Sequence, residues 1–233
     1  MLIPSIDLMG GKIVQLVQGE KLKLSFDDFD YWIERFSKYP MVQLIDLDAA
    51  MRQGDNRELV EMIAKRLPVQ VGGGLKTADD AKKLLDAGAK RVIFGSSLFG
   101  AAEEGEKRRH KLIKLEFAES LKKELGEDVL CFSVDTKGGN VAVRGWKETV
   151  SLTPEEAVTW LEDSCAAFLY THVDTEGTMS GFPMDVAAIL RSTTAKQLIV
   201  AGGIKEQAEV DSLDAMGVDA VAGMAVYSGA MDA

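Results

Sequence analysis

The sequence predicts an α/β protein, a (β/α)8 TIM barrel built from two half-barrel repeats. Eight short runs rich in Val, Ile, Leu and Phe alternate with amphipathic segments, as expected for parallel strands that are buried on both faces. The motif IDLMGGKIVQL at residues 6–16 returns as VDTKGGNVAVR at residues 134–144. A doubly wound sheet reverses its strand order midway and needs no such repeat, so these observations favour the barrel.

The individual elements follow from hydrophobic patterning and from helix-start signals. Strands are predicted at residues 2–6, 42–46, 69–71, 91–94, 129–134, 167–171, 197–201 and 220–222. Helices are predicted at residues 26–38, 56–66, 78–87, 110–125, 154–161, 184–192 and 206–216. Thr77 and Thr153 are predicted N-caps that precede acidic residues, and Gly88 and Gly217 are predicted to end two helices. Few residues follow the last strand, so the eighth helix is expected to be short.

Two further pairs of motifs repeat with almost the same spacing as the first pair. VGGGLK at residues 71–76 matches VAGGIK at residues 200–205. DAGAKRVIFGSSLF, which starts at Asp86, matches DAMGVDAVAGMAVY, which starts at Asp214. Because self-similarity of this length indicates a duplicated unit, residues 1–233 are predicted to form one domain, with half-repeats at about 1–125 and 126–233.

Composition and charge limit the kinds of partner that this protein is expected to have. The net charge of −10 argues against nucleic acid and anionic membrane as partners, because both require a basic surface. The chain has neither a run of about 18 apolar residues nor a leader-like start. A soluble, cytoplasmic protein is therefore expected. We also expect a monomer, although no residue pattern in the sequence indicates the oligomeric state. The basic run KRRHK at residues 107–111 is interpreted as the solvated start of a helix, with phosphate steering as the alternative.

The two cysteines are interpreted as core thiols. Cys131 and Cys165 do not form a CxxC motif, and the chain contains only two histidines that could complete a metal site with them. A disulfide or a metal site is the less favoured interpretation. We therefore expect no metal at these cysteines.

Two aspartates are the candidate acid and base groups. Asp7 and Asp135 each follow an apolar strand and precede a Gly-Gly pair, which places them at the carboxyl ends of strands one and five. These strands are opposite each other in an eight-stranded barrel, so both carboxyl groups should face its mouth. In different surroundings one carboxyl can act as general base and the other as general acid, although each could simply cap a turn. Asp46 and Asp48 on loop two are interpreted as positioning residues.

Glycine-rich turns after four strands predict two phosphate sites. Such turns allow positive φ angles and bring backbone N–H groups close to an anion. The first predicted site uses Gly73, Gly74, Gly95 and Ser96, and the second uses Gly202, Gly203, Gly223 and Met224. Loops seven and eight, which carry the second site, commonly bind phosphate in this fold. A plain turn is the alternative for a single glycine pair, but the match between halves predicts a ligand with two phosphates.

Long segments, in unbroken order, carry a resemblance to a known family. They are IDLMGGKIVQLVQGE, LIDLDAA, VGGGLKTADDAKKLLDAGAKRVIFGSSLF, VDTKGGNVAVRGW, YTHVDTEGTMSG, and AGGI with the strand that follows it. Together they resemble the phosphoribosylformimino-5-aminoimidazole carboxamide ribotide isomerase family of histidine biosynthesis. The resemblance implies an Amadori rearrangement of ProFAR, an aminoaldose with a phosphate at each end, to the aminoketose PRFAR. Ring opening needs an acid and enolisation needs a base, and neither step needs a metal or a redox cofactor.

The resemblance also implies roles for individual residues. Asp7 matches the general base of the family, which removes the C2′ proton, and Asp135 matches its general acid, which protonates the ring oxygen. Thr171 matches a threonine that assists in the same mouth, and Gly177 belongs to the same segment and is assigned to substrate binding. Trp146 matches a residue that can fold over the substrate, with packing on the rim as the alternative.

Four positions depart from the family pattern. The family usually has Arg where Gln15 and Lys76 stand, and often where Met224 stands. Gln15 and Met224 remove cations that would help to hold phosphate, whereas Lys76 keeps the charge without the bidentate fork of Arg. His172 stands where the family has Asp or Glu, and it is interpreted as a structural or rim residue, with a substrate contact as the alternative.

Two other functions are left open by the sequence. The cyclase subunit of imidazole glycerol phosphate synthase shares the half-barrel repeat and both aspartates, and it takes ammonia from a glutaminase partner. Residues 9–11 and 139–146 resemble the isomerase more closely than the cyclase. A bisphosphate-binding barrel without catalysis is suggested by the missing arginines, but the two retained aspartates argue against it.

Overall fold

Parallel strands and outer helices alternate along most of the chain in a computed structural model that describes residues 1–100 and 109–232. The strands are β1 (Leu2–Met9), β2 (Lys12–Val17), β3 (Lys21–Phe26), β4 (Val42–Asp46), β5 (Val69–Gly72), β6 (Arg91–Phe94), β7 (Leu130–Lys137), β8 (Asn140–Val143), β9 (Glu148–Val150), β10 (Ala167–His172), β11 (Gln197–Ala201) and β12 (Val218–Ala222). The helices are α1 (Phe29–Phe36), α2 (Leu47–Met51), α3 (Arg57–Ala64), α4 (Ala78–Asp86), α5 (Leu115–Leu125), α6 (Pro154–Leu161), α7 (Met184–Thr193), α8 (Gln207–Ala215) and α9 (Met224–Tyr227).

Eight of the strands close into a parallel barrel in the order β1, β4, β5, β6, β7, β10, β11 and β12. The ring is complete because β12 pairs with β1 and β7 pairs directly with β10. The predicted (β/α)8 fold is therefore confirmed, as is the short last helix, α9. Three strands separate β1 from β7 in either direction, so these two strands lie on opposite sides of the barrel.

Two antiparallel extensions stand above the barrel, and the sequence analysis predicted neither of them. We call them the first hairpin, formed by β1 with β2 and β3, and the second hairpin, formed by β7 with β8 and β9. Strand β1 continues to Met9 and turns back into β2 and β3, while β7 continues into β8 and β9. Each first turn is a Gly-Gly pair with positive φ at both residues, 58° and 73° at Gly10 and Gly11 and 57° and 77° at Gly138 and Gly139. Turns of this kind match the twist of the flanking strands, which is why these pairs form hairpins and not open loops.

Some predicted helix boundaries were wrong near the ends of these segments. The helix predicted from residue 26 begins at Phe29, because Phe26 belongs to β3. The helix predicted from residue 110 begins at Leu115, after a 3-10 turn at Arg109–Leu112. Residues 107 and 108 of the basic run lie outside the described residues, as do the side chains of residues 109 and 110, so the interpretation of that run stays a prediction.

The core has two layers, one between the strands and the helices and one inside the barrel. Apolar side chains fill the lower interior, among them Ile3, Ile93, Leu169, Ile199 and Val221. Both cysteines are buried thiols, Cys131 within the interior layer and Cys165 in the outer one. Toward the carboxyl ends of the strands the interior becomes polar, and this change positions the site. Among the described residues, no helix is long and apolar enough to cross a membrane.

Candidate active site

A cavity of about 1060 Å³ opens where the carboxyl ends of the barrel strands meet their loops. All thirteen of the predicted site residues line it. They are Asp7, Gly73, Gly74, Gly95, Ser96, Asp135, Trp146, Thr171, Gly177, Gly202, Gly203, Gly223 and Met224. The end of the barrel that holds this cavity is the one where TIM-barrel enzymes carry their active sites.

Asp7 and Asp135 open into this one cavity from opposite sides of the barrel. Each carboxylate accepts a hydrogen bond from a serine two residues earlier on its own strand. Ser5 Oγ donates to Asp7 Oδ1 at 2.8 Å, and Ser133 Oγ donates to Asp135 Oδ1 at 2.6 Å. Because side chains two residues apart point to the same face of a strand, each serine lies directly beneath its aspartate inside the barrel.

The surroundings of the two carboxyl groups differ. Burial raises the pKa of Asp7 to about 6, and the hydrogen bond from Ser5 opposes this rise. Burial also raises the pKa of Asp135, but three hydrogen-bonding groups lower it, namely Ser133, Trp146 and Thr171. Trp146 Nε1 donates to Asp135 Oδ2 at 2.8 Å, and Thr171 is paired with Asp135 across the ladder of β7 and β10.

Glu176 is a third acidic residue in the cavity, and the sequence analysis did not single it out. Burial, together with the nearby charges of Asp7 and Asp135, raises the pKa of Glu176 to about 8. The side chain is therefore mostly protonated at neutral pH, and it adds little negative charge to the site. The sequence does carry one signal for Glu176. It directly precedes Gly177 in the segment after β10, from which only Thr171 and Gly177 were predicted as site residues.

The glycine turns after β5 and β11 have nearly the same backbone geometry. The φ angles are 111° at Gly73 and 109° at Gly202, followed by 70° at Gly74 and 87° at Gly203. A Cβ atom at Gly73 would clash with the backbone of Asp46, and one at Gly202 would clash with the backbone of His172. Both turns therefore require glycine, and both expose backbone groups to the cavity, as an anion site needs.

Cationic side chains lie mainly beside the first of these turns. Lys76 and Lys114 line the cavity, and Lys114 Nζ donates to the carbonyl of Ser97 at 3.2 Å. Arg52 also lines it, as does Arg144 from the β8–β9 hairpin. Apart from Lys76, the sequence analysis did not single out these cations, because their approach to the cavity depends on loop paths.

The departures from the family pattern fall into two groups. Lys76 and Met224 line the cavity, whereas Gln15 and His172 are not among its lining residues. Gln15 is buried, its Nε2 donates to the carbonyl of Val14 at 2.9 Å, and its amide lies against Gly223. The ring of His172 hydrogen-bonds Thr175 Oγ1 at 3.0 Å, which favours the structural interpretation of this histidine.

Asp46 and Asp48 hold loop two and the first hairpin. Asp46 caps α2 through the N–H of Ala49 at 3.1 Å and accepts the N–H of Asn56 at 2.7 Å. Asp48 Oδ2 accepts the N–H of Gly10 at 2.6 Å. Neither aspartate is among the residues that line the cavity, so their geometry agrees with a positioning role.

The arrangement is suited to proton transfer on a ligand that carries anionic groups. Carboxyl groups with different surroundings lie between two backbone anion sites, and such pairs can divide the roles of acid and base. Within residues 1–100 and 109–232, no group of three or more His, Cys, Asp or Glu side chains is placed to hold a metal ion. The fold and the cavity thus define a (β/α)8 barrel with a paired-carboxylate site.

Comparison with known proteins identifies the family. Residues 1–232 match the family described as "Histidine biosynthesis protein", and the chain belongs to this family. A relative from Methanocaldococcus jannaschii is 33% identical over 241 residues, which cover 100% of this chain and 95% of that protein. Another from Archaeoglobus fulgidus is 35% identical over 235 residues, with 97% and 92% covered. A third from Thermus thermophilus is 32% identical over 235 residues, with 98% and 94% covered. All three are named 1-(5-phosphoribosyl)-5-((5-phosphoribosylamino)methylideneamino) imidazole-4-carboxamide isomerase.

Proposed function

We propose that this protein is the aldose–ketose isomerase that converts ProFAR to PRFAR in histidine biosynthesis. The observation that carries the proposal is the opening of Asp7 and Asp135 into one cavity, between two glycine turns of matching geometry. The names of the relatives support the same reaction. An Amadori rearrangement needs an acid at the ring oxygen and a base at C2′, the carbon that loses its proton, and this cavity offers both kinds of group.

In the proposed mechanism Asp135 is the general acid and Asp7 is the general base. Asp135 protonates the oxygen of the aminoaldose ring, the ring opens, and a protonated imine forms. Asp7, which is mostly ionised at neutral pH because its pKa is about 6, then removes the C2′ proton to give the enolamine. Tautomerisation of the enolamine yields the ketose. Thr171 assists Asp135 from the adjacent strand, and neutral Glu176 donates a hydrogen bond to the substrate.

The two glycine turns are proposed to hold the two phosphates. Backbone groups around Gly73 and Gly95 would bind one phosphate, and those around Gly202 and Gly223 would bind the other. Trp146 is proposed to cover the substrate. Its indole N–H donates to Asp135 Oδ2, which places the indole beside the proposed acid.

The proposal also includes the organisation of the chain. Residues 1–233 would form one domain of two half-barrel repeats and act as a cytoplasmic monomer on a small substrate with two phosphates. Sedimentation of the purified protein tests the monomer directly. A particle of twice the mass of the 25.3 kDa chain would contradict that part of the proposal and leave the reaction unaffected.

The activity is tested by incubating the purified protein with ProFAR in the absence of ammonia and of any glutaminase. Formation of PRFAR is expected. If no PRFAR forms, and the protein instead consumes PRFAR in an ammonia-dependent reaction, the cyclase alternative replaces the isomerase. If neither reaction occurs, the non-catalytic bisphosphate-binding barrel is favoured.

A growth test examines the two aspartates in a cell. The gene is expressed in a histidine auxotroph that lacks the isomerase, and the wild-type protein is expected to restore growth. Asp7→Asn and Asp135→Asn should fail to restore it, whereas Asp86→Asn, at the exposed end of α4, should succeed. Equal growth with all three variants would refute the catalytic assignment.

A further inference from the structure

We propose that Ser5 and Ser133 are positioning residues that hold the two catalytic carboxylates in their working orientation, with Ser5 having the larger effect on the reaction. This inference rests on the proposed function of Asp7 and Asp135. The two serines lie inside the barrel and have no part in the proposed mechanism. Both serines are buried, with 4% exposure at Ser5 and 8% at Ser133.

Packing alone does not require a hydroxyl group at these positions. The residue paired with Ser133 on the next strand is the apolar Leu169, and the interior below is filled by side chains such as Ile3 and Val221. An alanine would fit the same space without burying a polar group. The hydroxyl groups stand directly beneath the two aspartates, and each has its aspartate as hydrogen-bond acceptor. The hydrogen bond to the aspartate therefore accounts for a serine at each of these two positions.

The serine hydrogen bonds also set the orientation of the two carboxyl groups. Each serine binds Oδ1 of its aspartate, which directs Oδ1 toward the barrel interior and fixes the rotation of the carboxyl group. The other oxygen, Oδ2, is then the one available toward the cavity. In the part of the chain that the structure describes, Asp7 Oδ2 accepts no hydrogen bond, whereas Asp135 Oδ2 accepts one from Trp146. Ser5 thus holds Asp7 by one oxygen and leaves the other free to take a proton.

The two carboxyl groups also differ in the charged and hydrogen-bonding groups around them. The charge of Asp7 raises the pKa of Glu176, in the loop after β10, and that of Tyr227, on α9. Ser5 is the group that hydrogen-bonds Asp7 and favours its ionised form. Asp135 interacts with Glu176 and with two neutral acids, Cys131 on its own strand and Tyr170 on β10. It has three hydrogen-bonding groups where Asp7 has one. Loss of Ser5 should therefore change Asp7 more than loss of Ser133 changes Asp135.

The experiment compares Ser5→Ala and Ser133→Ala with Ser212→Ala as the matched control. Ser212 lies on the outer helix α8, where its hydroxyl donates to the carbonyl of Ala208 at 2.7 Å. A hydrogen bond to a charged group has an effect of about tenfold or more on an equilibrium. We expect Ser5→Ala to lower kcat about tenfold with KM unchanged within about twofold. Its kcat/KM should reach its plateau at a higher pH than that of the wild type, because protonated Asp7 persists to higher pH.

The same change should be visible without any assay of activity. Carbon-13 NMR titration of the aspartate carboxyl groups should show a higher pKa for Asp7 in Ser5→Ala and a smaller rise for Asp135 in Ser133→Ala. The control Ser212→Ala should titrate like the wild type. If Ser5→Ala does not fold, Ser5→Cys provides the same comparison, because it keeps the size of the side chain but is a weak donor.

The results separate this inference from the proposed function. An unchanged Asp7 titration and an unchanged pH profile in Ser5→Ala would overturn the positioning role, even if the enzyme is the proposed isomerase. A shifted titration in a protein that does not convert ProFAR would support the hydrogen-bond role and refute the proposed reaction. A shift in the Asp135 titration larger than the one at Asp7 would overturn the predicted difference between the two serines.

Discussion

The glycine turns after β5 and β11 share their backbone geometry and differ in the charged side chains around them. Gly73 and Gly202 have φ angles of 111° and 109°, and at both positions a side chain would clash with the backbone at the end of the neighbouring strand. The cationic residues Lys76 and Lys114 line the cavity in the first half, whereas Lys205, the counterpart of Lys76, is not among the lining residues. The turns that can bind phosphate therefore repeat as backbone, whereas the cations that line the cavity, among the described residues, lie mainly beside the first turn.

The same contrast appears where the hairpins join the barrel. The N–H of Gly10 donates to Asp48 Oδ2 at 2.6 Å, and the N–H of Gly138 donates to Asp174 Oδ2 at 2.9 Å. Both hairpins are thus held by an aspartate in the helical turn that follows the next barrel strand. Only the second hairpin carries Trp146, which reaches the carboxylate below it. The two hairpins are therefore attached in the same way, but among the contacts of the described residues only Asp135 receives a hydrogen bond from its hairpin.

The largest expected effect comes from neutralising either carboxylate. Asp7→Asn and Asp135→Asn should each lower kcat by about 10³-fold, because general acid or base catalysis contributes about 10² to 10⁴. Steady-state kinetics with ProFAR measure the loss, and Asp86→Asn is the control. A loss in one variant only would show that a single carboxylate performs the chemistry.

The matched glycine turns predict equal losses of stability. Gly73→Ala and Gly202→Ala should each lower the free energy of unfolding by about 2–4 kcal/mol. Each puts a side chain at a φ angle that strains it and against the backbone at the end of a neighbouring strand. Denaturant unfolding measures this effect. Gly100→Ala, whose Cβ would approach other atoms no closer than 3.9 Å, should change stability by less than about 0.5 kcal/mol. A marked difference between the two turn variants would show that the halves are not equivalent in backbone strain.

The uneven distribution of cations predicts an uneven loss of binding. Lys76→Met should raise KM about tenfold, because it removes a charge that is worth about 1–2 kcal/mol to a bound phosphate at the cavity wall. Lys205→Met should leave KM within about twofold of the wild type, since Lys205 pairs with Glu206 at 3.4 Å. Equal effects of the two variants would contradict the asymmetry.

The pH dependence should reflect the shared cavity. The value of kcat/KM is expected to rise as pH passes about 6, where Asp7 loses its proton, and to fall above about 8, where Glu176 becomes charged beside both aspartates. Glu176→Gln stays neutral and keeps a donor, so it should retain activity within a few-fold at pH 7 and flatten the fall at high pH. A loss as large as that of Asp135→Asn would identify Glu176 as the acid.

Much of the architecture could be predicted because it depends on local pattern. Apolar runs gave the barrel strands, and glycine pairs gave the turns. The hairpins were missed because a Gly-Gly pair is compatible with both an open loop and a tight turn until the returning strand pairs with the first one. Lys114 occupies the N-cap position of α5, where Ser, Thr, Asp or Asn is preferred, and its approach to the cavity depends on the path of loop four. Glu176 likewise enters the cavity through contacts that no local pattern encodes.

The most direct test of the account is a crystal structure of the protein with PRFAR bound. One phosphate should contact the turn at Gly73 and Gly95, and the other the turn at Gly202 and Gly223. The substrate carbon from which the proton is removed should lie within about 3.5 Å of Asp7 Oδ2. A phosphate outside either turn, or a reacting carbon beyond the reach of both Asp7 and Asp135, would contradict the shared two-carboxylate site.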